Sequence, residues 1–368
     1  MKVGCPKEIK SNEYRVGLVP ASVREYVHHG HQVFIEKSAG LGVGILDQQY
    51  IDVGASIVDS AEEIFATSDM VVKVKEPQPN EWSQLKQGQI LYTYLHLAAD
   101  LKQTKGLLES KCIAVAYETI TDSKGGLPLL APMSEVAGRL SIQAAARCLE
   151  KESGGEGLLL GGVPGVPAGR VVVIGGGVVG THAAKMALGL GAEVTILDRS
   201  LPRLRQLDDL FDGRVRTCYS SMEGLLKEIQ NADAVIGAVL IPGAKAPKLV
   251  TKKMLLEMKK GSCLVDVAID QGGCFETSVA TTHSNPVFIE DGIVHYCVAN
   301  MPGAVPRTST YALNNATLSY GLALANHKLD ALKNNPNLMN GLNVYAGKVT
   351  NLSVAKALNL DFYNPAQL

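Results

Sequence analysis

Apolar residues fall into short runs that recur along the whole chain, separated by polar stretches in which apolar positions return every three or four residues. Runs of this length bounded by turn residues predict buried parallel strands, and the helical spacing between them predicts crossover helices. In the first part the pattern predicts strands over 2–4, 32–35, 70–74, 90–95 and 113–117, with helices over 21–29 and near 61–65. A helix is predicted over 135–148, started by Ser134 as N-cap. The second part predicts strands over 171–174, 194–197, 234–236, 263–267, 287–289 and 294–298, a sheet of about six. Residues 154–169 read as a loop punctuated by glycine and proline. The alanine- and leucine-rich segment 308–327 reads as a helix that returns to the first part. The fold class is therefore α/β, with two Rossmann-like doubly wound domains. The second is inserted into the first, giving a discontinuous domain of 1–129 and 306–368 around an inserted domain of 130–305.

The run ending at Ile174 leads into Gly175-Gly176-Gly177-Val178-Val179-Gly180, and Asp198 stands 23 residues after the first of these glycines. Gly175 suits a tight turn, Gly177 lets a pyrophosphate approach the backbone, and Gly180 lets the next helix, predicted over 181–190, pack on the sheet. The N-terminus of that helix presents free N–H groups to phosphate. A dinucleotide site is expected here. Asp198 at the end of the next strand fits the ribose hydroxyls of NAD and would repel the 2′-phosphate of NADP. Arg199, Arg203 and Arg205 leave NADP open.

Composition narrows the class. A chain of 368 residues with 46% hydrophobic and 19% charged residues suits two soluble globular domains. Its 35 basic and 36 acidic residues provide no field for nucleic acid or an anionic membrane. Seven scattered cysteines without metal-ligand spacing suit reduced thiols. No apolar stretch reaches the roughly 18 residues of a membrane span. A cytoplasmic protein without nucleic-acid or membrane partners is expected.

Ligands of open α/β sheets bind beyond the carboxyl ends of the strands. Lys75 and Glu76, His96, Glu118 and Asp270 all follow predicted strands, where a cleft between the domains would gather them around one ligand. Each has a plainer explanation. His96 could cap or face solvent, Lys75 could precede a proline turn, Asp270 could build a glycine turn, and Arg15 could pair with Glu13 or Glu8.

These residues, with the segments Lys7-Glu8-Ile9-Lys10, Val74-Lys75-Glu76-Pro77, Tyr94-Leu95-His96-Leu97, Pro132-Met133-Ser134-Glu135, Val265-Asp266-Val267-Ala268-Ile269-Asp270 and Val298-Ala299-Asn300-Met301-Pro302, resemble the L-alanine dehydrogenase family. The resemblance covers essentially the whole chain and extends to the NAD-binding domain of transhydrogenases. It implies a homohexamer that interconverts L-alanine and pyruvate plus ammonium with NAD. It further implies that Arg15 and Lys75 bind substrate and that His96 and Asp270 are catalytic. NAD contacts are implied at Ser134, Gly175, Gly177, Val178, Val179, Gly180, Asp198, Arg203, Ser220, Val239, Leu240, Val267, Ala268, Ile269, Asp270, Val298, Ala299, Asn300 and Met301. Some relatives carry a carboxylate where this chain has Ala323, four residues before His327, so no metal is expected. A transhydrogenase NAD-binding subunit and a non-enzymatic NADH-sensing module are the alternatives.

Overall fold

The computed structural model describes residues 1–239 and 246–365. Within them the chain divides into two compact units, Met1–Met133 with Val305–Leu368, and Ser134–Ala304.

The first unit is built on strands β1 (Lys2–Cys5), β2 (Gln32–Glu36), β3 (Ser56–Val58), β4 (Met70–Val72), β5 (Ile90–Thr93) and β6 (Ile113–Ala116). The second holds β7 (Arg170–Ile174), β8 (Glu193–Asp198), β9 (Arg216–Tyr219), β10 (Ala234–Gly237), β11 (Cys263–Asp266), β12 (Val287–Glu290) and β13 (Ile293–Tyr296), and β14 (Leu342–Tyr345) and β15 (Lys348–Val349) return to the first. Among the described residues the first sheet has the order β15-β14-β6-β5-β4-β1-β2-β3, and the second β12-β13-β11-β10-β7-β8-β9. Pairing is parallel except at β14, β15 and β12. Counting parallel strands alone, both sheets thus contain the doubly wound order 3-2-1-4-5-6. Strand order reverses between β1 and β4 in one and between β7 and β10 in the other, the points where such sheets bind ligands.

Nearly every residue of β1, β4, β5, β6, β10 and β11 is buried, which is why these strands read as unbroken apolar runs. The helix Val178–Gly189 lays Ala183, Ala184 and Ala187 on the second sheet beside Val171, Val173 and Ile196. Alanine at these positions allows the close approach that a dinucleotide turn needs. A Cβ on Gly180 would lie 1.8 Å from the Gly175 carbonyl oxygen, so even alanine would force helix and strand apart.

Two expected helix starts move. The helix expected from residue 135 spans Ala131–Cys148, which puts Ser134 inside its first turn rather than at its N-cap. Pro132 is tolerated there because first-turn N–H groups have no intrahelical partner. Likewise the helix after the glycines begins at Val178 with Gly177 as N-cap, three residues ahead of the expected start. The second sheet gains β9, and the first gains β3, β14 and β15, beyond the strands expected.

All seven cysteines are free thiols, Cys218 half-buried and the others buried. Burial pushes the Cys112 thiol up to about 11, the behaviour of an inert core thiol. No helix among the described residues is long and apolar enough to cross a membrane.

Candidate active site

In the unit Ser134–Ala304, the positions expected to meet a dinucleotide follow the carboxyl ends of successive strands. Ser220 follows β9, Asp198 ends β8, residues 175–180 follow β7, Val239 follows β10, residues 267–270 follow β11 and residues 298–301 follow β13. Leu240 lies outside the described residues.

Gly175 turns the chain out of β7 with φ 102°, a conformation open to glycine. Among the described residues a Cβ on Gly177 would meet nothing within 4 Å, at the N-terminus of the helix Val178–Gly189. The first-turn N–H groups have no intrahelical partner and carry the positive end of the helix dipole. A pyrophosphate fits that description. Asp198 ties this turn to its own strand end, accepting the Gly176 N–H at 2.7 Å and the Ser200 N–H at 2.8 Å. Arg203 is built into the same turn. Its Nε donates to the Gly176 carbonyl at 2.7 Å, Nη2 to Thr181 Oγ1 at 2.7 Å, and Nη1 to Gln206 Oε1 at 3.0 Å.

Asp270 sits exposed in the 3-10 turn Ile269–Gln271. Its two oxygens face the N–H of Asn300 at 3.2 and 3.3 Å, and Asn300 itself is left-handed at φ 57°. The turn is held from beneath by Asp266, which is buried. That carboxylate accepts the N–H groups of Ala268 at 3.1 Å, Cys274 at 2.9 Å and Phe275 at 3.3 Å, and the Ser278 hydroxyl at 2.5 Å. Burial pushes the Asp266 carboxyl above its ordinary range against these bonds.

In the first unit, Arg15, Lys75 and His96 each lean on a carboxylate. Arg15 is 2% exposed and paired bidentately with Glu13, Nε to Oε1 at 2.7 Å and Nη2 to Oε2 at 2.6 Å. The plainer reading of Arg15, a pair with Glu13, is therefore realised on one edge of the guanidinium. On the other, Nη1 lies 3.1 Å from Met133 Sδ. Burial pushes the Glu13 carboxyl up, yet the bonds and charge of Arg15 outweigh it and hold the group below the usual carboxylate range.

Lys75 lies three residues past β4. Its N–H donates to Glu8 Oε1 at 3.2 Å, its carbonyl accepts Thr93 Oγ1 at 2.9 Å, and the Val74 N–H reaches the same Glu8 oxygen at 2.7 Å. Glu76 beside it pairs with Lys10.

His96, past β5, adopts φ 51° and ψ 37°, a left-handed conformation that histidine takes only at a cost. Glu118, past β6, holds it there, accepting the His96 N–H at 2.6 Å and the Leu95 N–H at 3.2 Å. The imidazole is half-exposed and stacks on Tyr94 at 5.7 Å with the rings 7° apart. Tyr94 is fixed in turn by its hydroxyl, which donates to the Leu129 carbonyl at 2.6 Å. His96 Nδ1 lies 3.9 Å from Glu118 Oε1, beyond a hydrogen bond, so the carboxylate holds the backbone of His96 rather than its ring.

Residues 4–137 match the alanine dehydrogenase/PNT N-terminal domain, and residues 141–352 match the alanine dehydrogenase/PNT C-terminal domain. The chain belongs to the alanine dehydrogenase/PNT family. It is 55% identical over 369 residues, all of both chains, to an alanine dehydrogenase of Halomonas elongata. A solved L-alanine dehydrogenase superposes with a TM-score of 0.95 at 51% identity, covering 98% of this chain and 99% of the other. A transhydrogenase from Sinorhizobium meliloti covers 95% of this chain and 100% of its own with a TM-score of 0.83, but at 24% identity that likeness shows the fold alone. This member of the alanine dehydrogenase/PNT family is an oxidoreductase with two Rossmann-like domains.

In it, sequence reasoning names the groups at the strand ends but misses what holds them. Glu8, Glu81, Thr93 and Asp266 are absent from the expected set, and so is Lys73. One signal was available. Lys73 interrupts the run Met70-Val71-Val72-Lys73-Val74, and a charge in a buried run requires a partner.

Proposed function

We propose that this chain is an NAD-dependent L-alanine dehydrogenase, converting L-alanine, NAD and water into pyruvate, ammonium, NADH and a proton, in either direction. The observation that carries the reading is the whole substrate-side set, Arg15, Lys75 and His96, held by carboxylates in a chain 55% identical throughout to an alanine dehydrogenase.

Residues 1–129 with 306–368 bind substrate and residues 130–305 bind NAD, which when bound supplies the hydride acceptor. The helix N-terminus at Val178 and Val179 takes the pyrophosphate. Asp198 takes the ribose hydroxyls, and the turns at Ser220, Val239, 267–270 and 298–301, with Ser134, enclose the rest. Arg203 is tied by three hydrogen bonds to Gly176, Thr181 and Gln206, and this engagement within the turn supports NAD over NADP. Arg15 binds the substrate carboxylate, and Lys75 sets an ammonium where an oxyanion develops as water adds to the imino acid. His96 accepts the proton of that water and returns it as the carbinolamine collapses, a task suited to a half-exposed imidazole. Asp270 is the second catalytic residue and holds the amine or the water. The protein works as a cytoplasmic homohexamer, on the family resemblance.

A screen of NAD reduction across the amino acids tests this. L-alanine is expected to give the highest rate, with pyruvate and ammonium oxidising NADH in reverse. NADH binding without turnover of any amino acid would refute it in favour of a transhydrogenase subunit or an NADH sensor.

A further inference from the structure

Glu8 lies just past β1 and Lys73 just past β4, the two strands between which the order of the first sheet reverses. Lys73 has no exposure, and Glu8 and Glu81 are buried with it. Its Nζ meets Glu8 Oε2 at 3.1 Å and Glu81 Oε1 at 2.9 Å. These two carboxylates keep the lysine charged, against the burial that opposes it. Desolvating three charges is costly, and a buried ion pair is weak support for stability. The arrangement of Glu8 supplies another reason for it.

The two oxygens of Glu8 have separate tasks. Oε2 faces Lys73, while Oε1 accepts the Val74 N–H at 2.7 Å and the Lys75 N–H at 3.2 Å. Thr93 Oγ1 holds the Lys75 carbonyl at 2.9 Å. The backbone of Lys75 is therefore fastened at its N–H and at its C=O, and Lys73 with Glu81 fastens the carboxylate that does half of this. We propose that Glu8, held by Lys73 and Glu81, is a positioning residue that fixes the backbone of Lys75 and thereby aims its ammonium at the substrate. The inference rests on the substrate-binding role given to Lys75 above.

A carboxamide at position 8 has one oxygen for two tasks. In Glu8→Gln the oxygen goes to the Lys73 ammonium, and the N–H groups of Val74 and Lys75 face an NH2. In the double variant E8Q/K73M the oxygen is released to those two N–H groups. Pyruvate KM and NADH Kd are measured for Glu8→Gln, E8Q/K73M, Lys75→Ala and the combination of Glu8→Gln with Lys75→Ala. Glu8→Gln is expected to raise pyruvate KM about tenfold or more, as misaiming of a binding group does, with NADH Kd unchanged within about twofold. E8Q/K73M is expected to recover most of the loss, whereas a network serving stability alone would be weakened further by a second buried substitution. In the Lys75→Ala background Glu8→Gln is expected to add nothing, because residues acting through one another are not additive.

If Lys75→Ala raises pyruvate KM and Glu8→Gln does not, the positioning role is overturned and the role of Lys75 stands. If Lys75→Ala leaves pyruvate KM unchanged, the substrate-binding reading fails and takes this inference with it. Should Glu8→Gln not fold, Glu81→Gln replaces it, removing one carboxylate partner of Lys73 while sparing the Glu8 carboxylate. A smaller rise in pyruvate KM is expected there, and an unchanged KM overturns the proposal.

Discussion

Replacing Glu118 by alanine should disable His96 without touching it. A left-handed conformation costs a non-glycine residue about 1–2 kcal/mol, and His96 sits there at φ 51° and ψ 37°. Glu118 accepts the His96 N–H at 2.6 Å and the Leu95 N–H at 3.2 Å, and a hydrogen bond to a charged group contributes about 1.5–3 kcal/mol. The two terms are of similar size, so the conformation depends on the carboxylate. Losing one such bond shifts the balance by about 1.5 kcal/mol or more, and each 1.4 kcal/mol depopulates the held arrangement about tenfold. Turnover of Glu118→Ala is therefore expected to fall by about 10- to 100-fold, and that of Glu118→Gln, which keeps one acceptor, by less. The assay is the initial rate of NADH formation at saturating L-alanine and NAD, with NADH Kd from fluorescence titration as the check on folding. A folded Glu118→Ala protein with kcat within twofold of the parent would refute the reasoning.

Gly180→Ala would place a Cβ 1.8 Å from the Gly175 oxygen, roughly 1.5 Å inside ordinary contact. The helix must retreat at a cost of about 1–3 kcal/mol, and NADH Kd is expected to rise at least tenfold; titration showing an unchanged Kd would contradict the close-packing argument. The Glu13 carboxyl is held below its ordinary value of 4.5, so its pairing with Arg15 stabilises above that value and the gain is lost as pH falls through the lower, folded one. Glu13→Gln should cost about 3 kcal/mol near neutral pH by leaving Arg15 buried without its carboxylate. Urea unfolding should show that gap closing as pH falls below 4.5, and a gap independent of pH would exclude the linkage. Asp198→Gly should relax cofactor choice towards NADP, read as the ratio of kcat/KM for the two cofactors; a strict NAD preference would count against a ribose role.

What the sequence reveals tracks how locally each feature is determined. Strands β4, β5, β7 and β11 are buried on both faces and read as apolar runs, while β3 and β9, at sheet edges and half-exposed, have no such run to read. Strand β14 is broken by Asn343, whose buried amide donates to Thr119 Oγ1 and to the Gly341 carbonyl, partners no local pattern announces. Glycines 175, 177 and 180 are legible because a turn, an open approach and a close packing each exclude a side chain. Lys75 and His96 stand out by residue type and by the strands they follow. Glu118 stands out in the same way, but its hold on His96 from 22 positions away does not, nor does that of Glu8 on Lys75 from 67. Only folding brings them together. Ser134 shows the reverse hazard, a residue with the chemistry of an N-cap that Pro132 allows the helix to absorb.

The central claim is that His96 moves the protons of an NAD-dependent conversion of L-alanine, and the most direct test is NADH formation from L-alanine by His96→Ala beside its NADH affinity. Turnover is predicted to fall by about 10²- to 10⁴-fold, the usual contribution of a general acid–base, with NADH Kd kept within about twofold. Near-parental turnover by a folded His96→Ala protein would contradict the account.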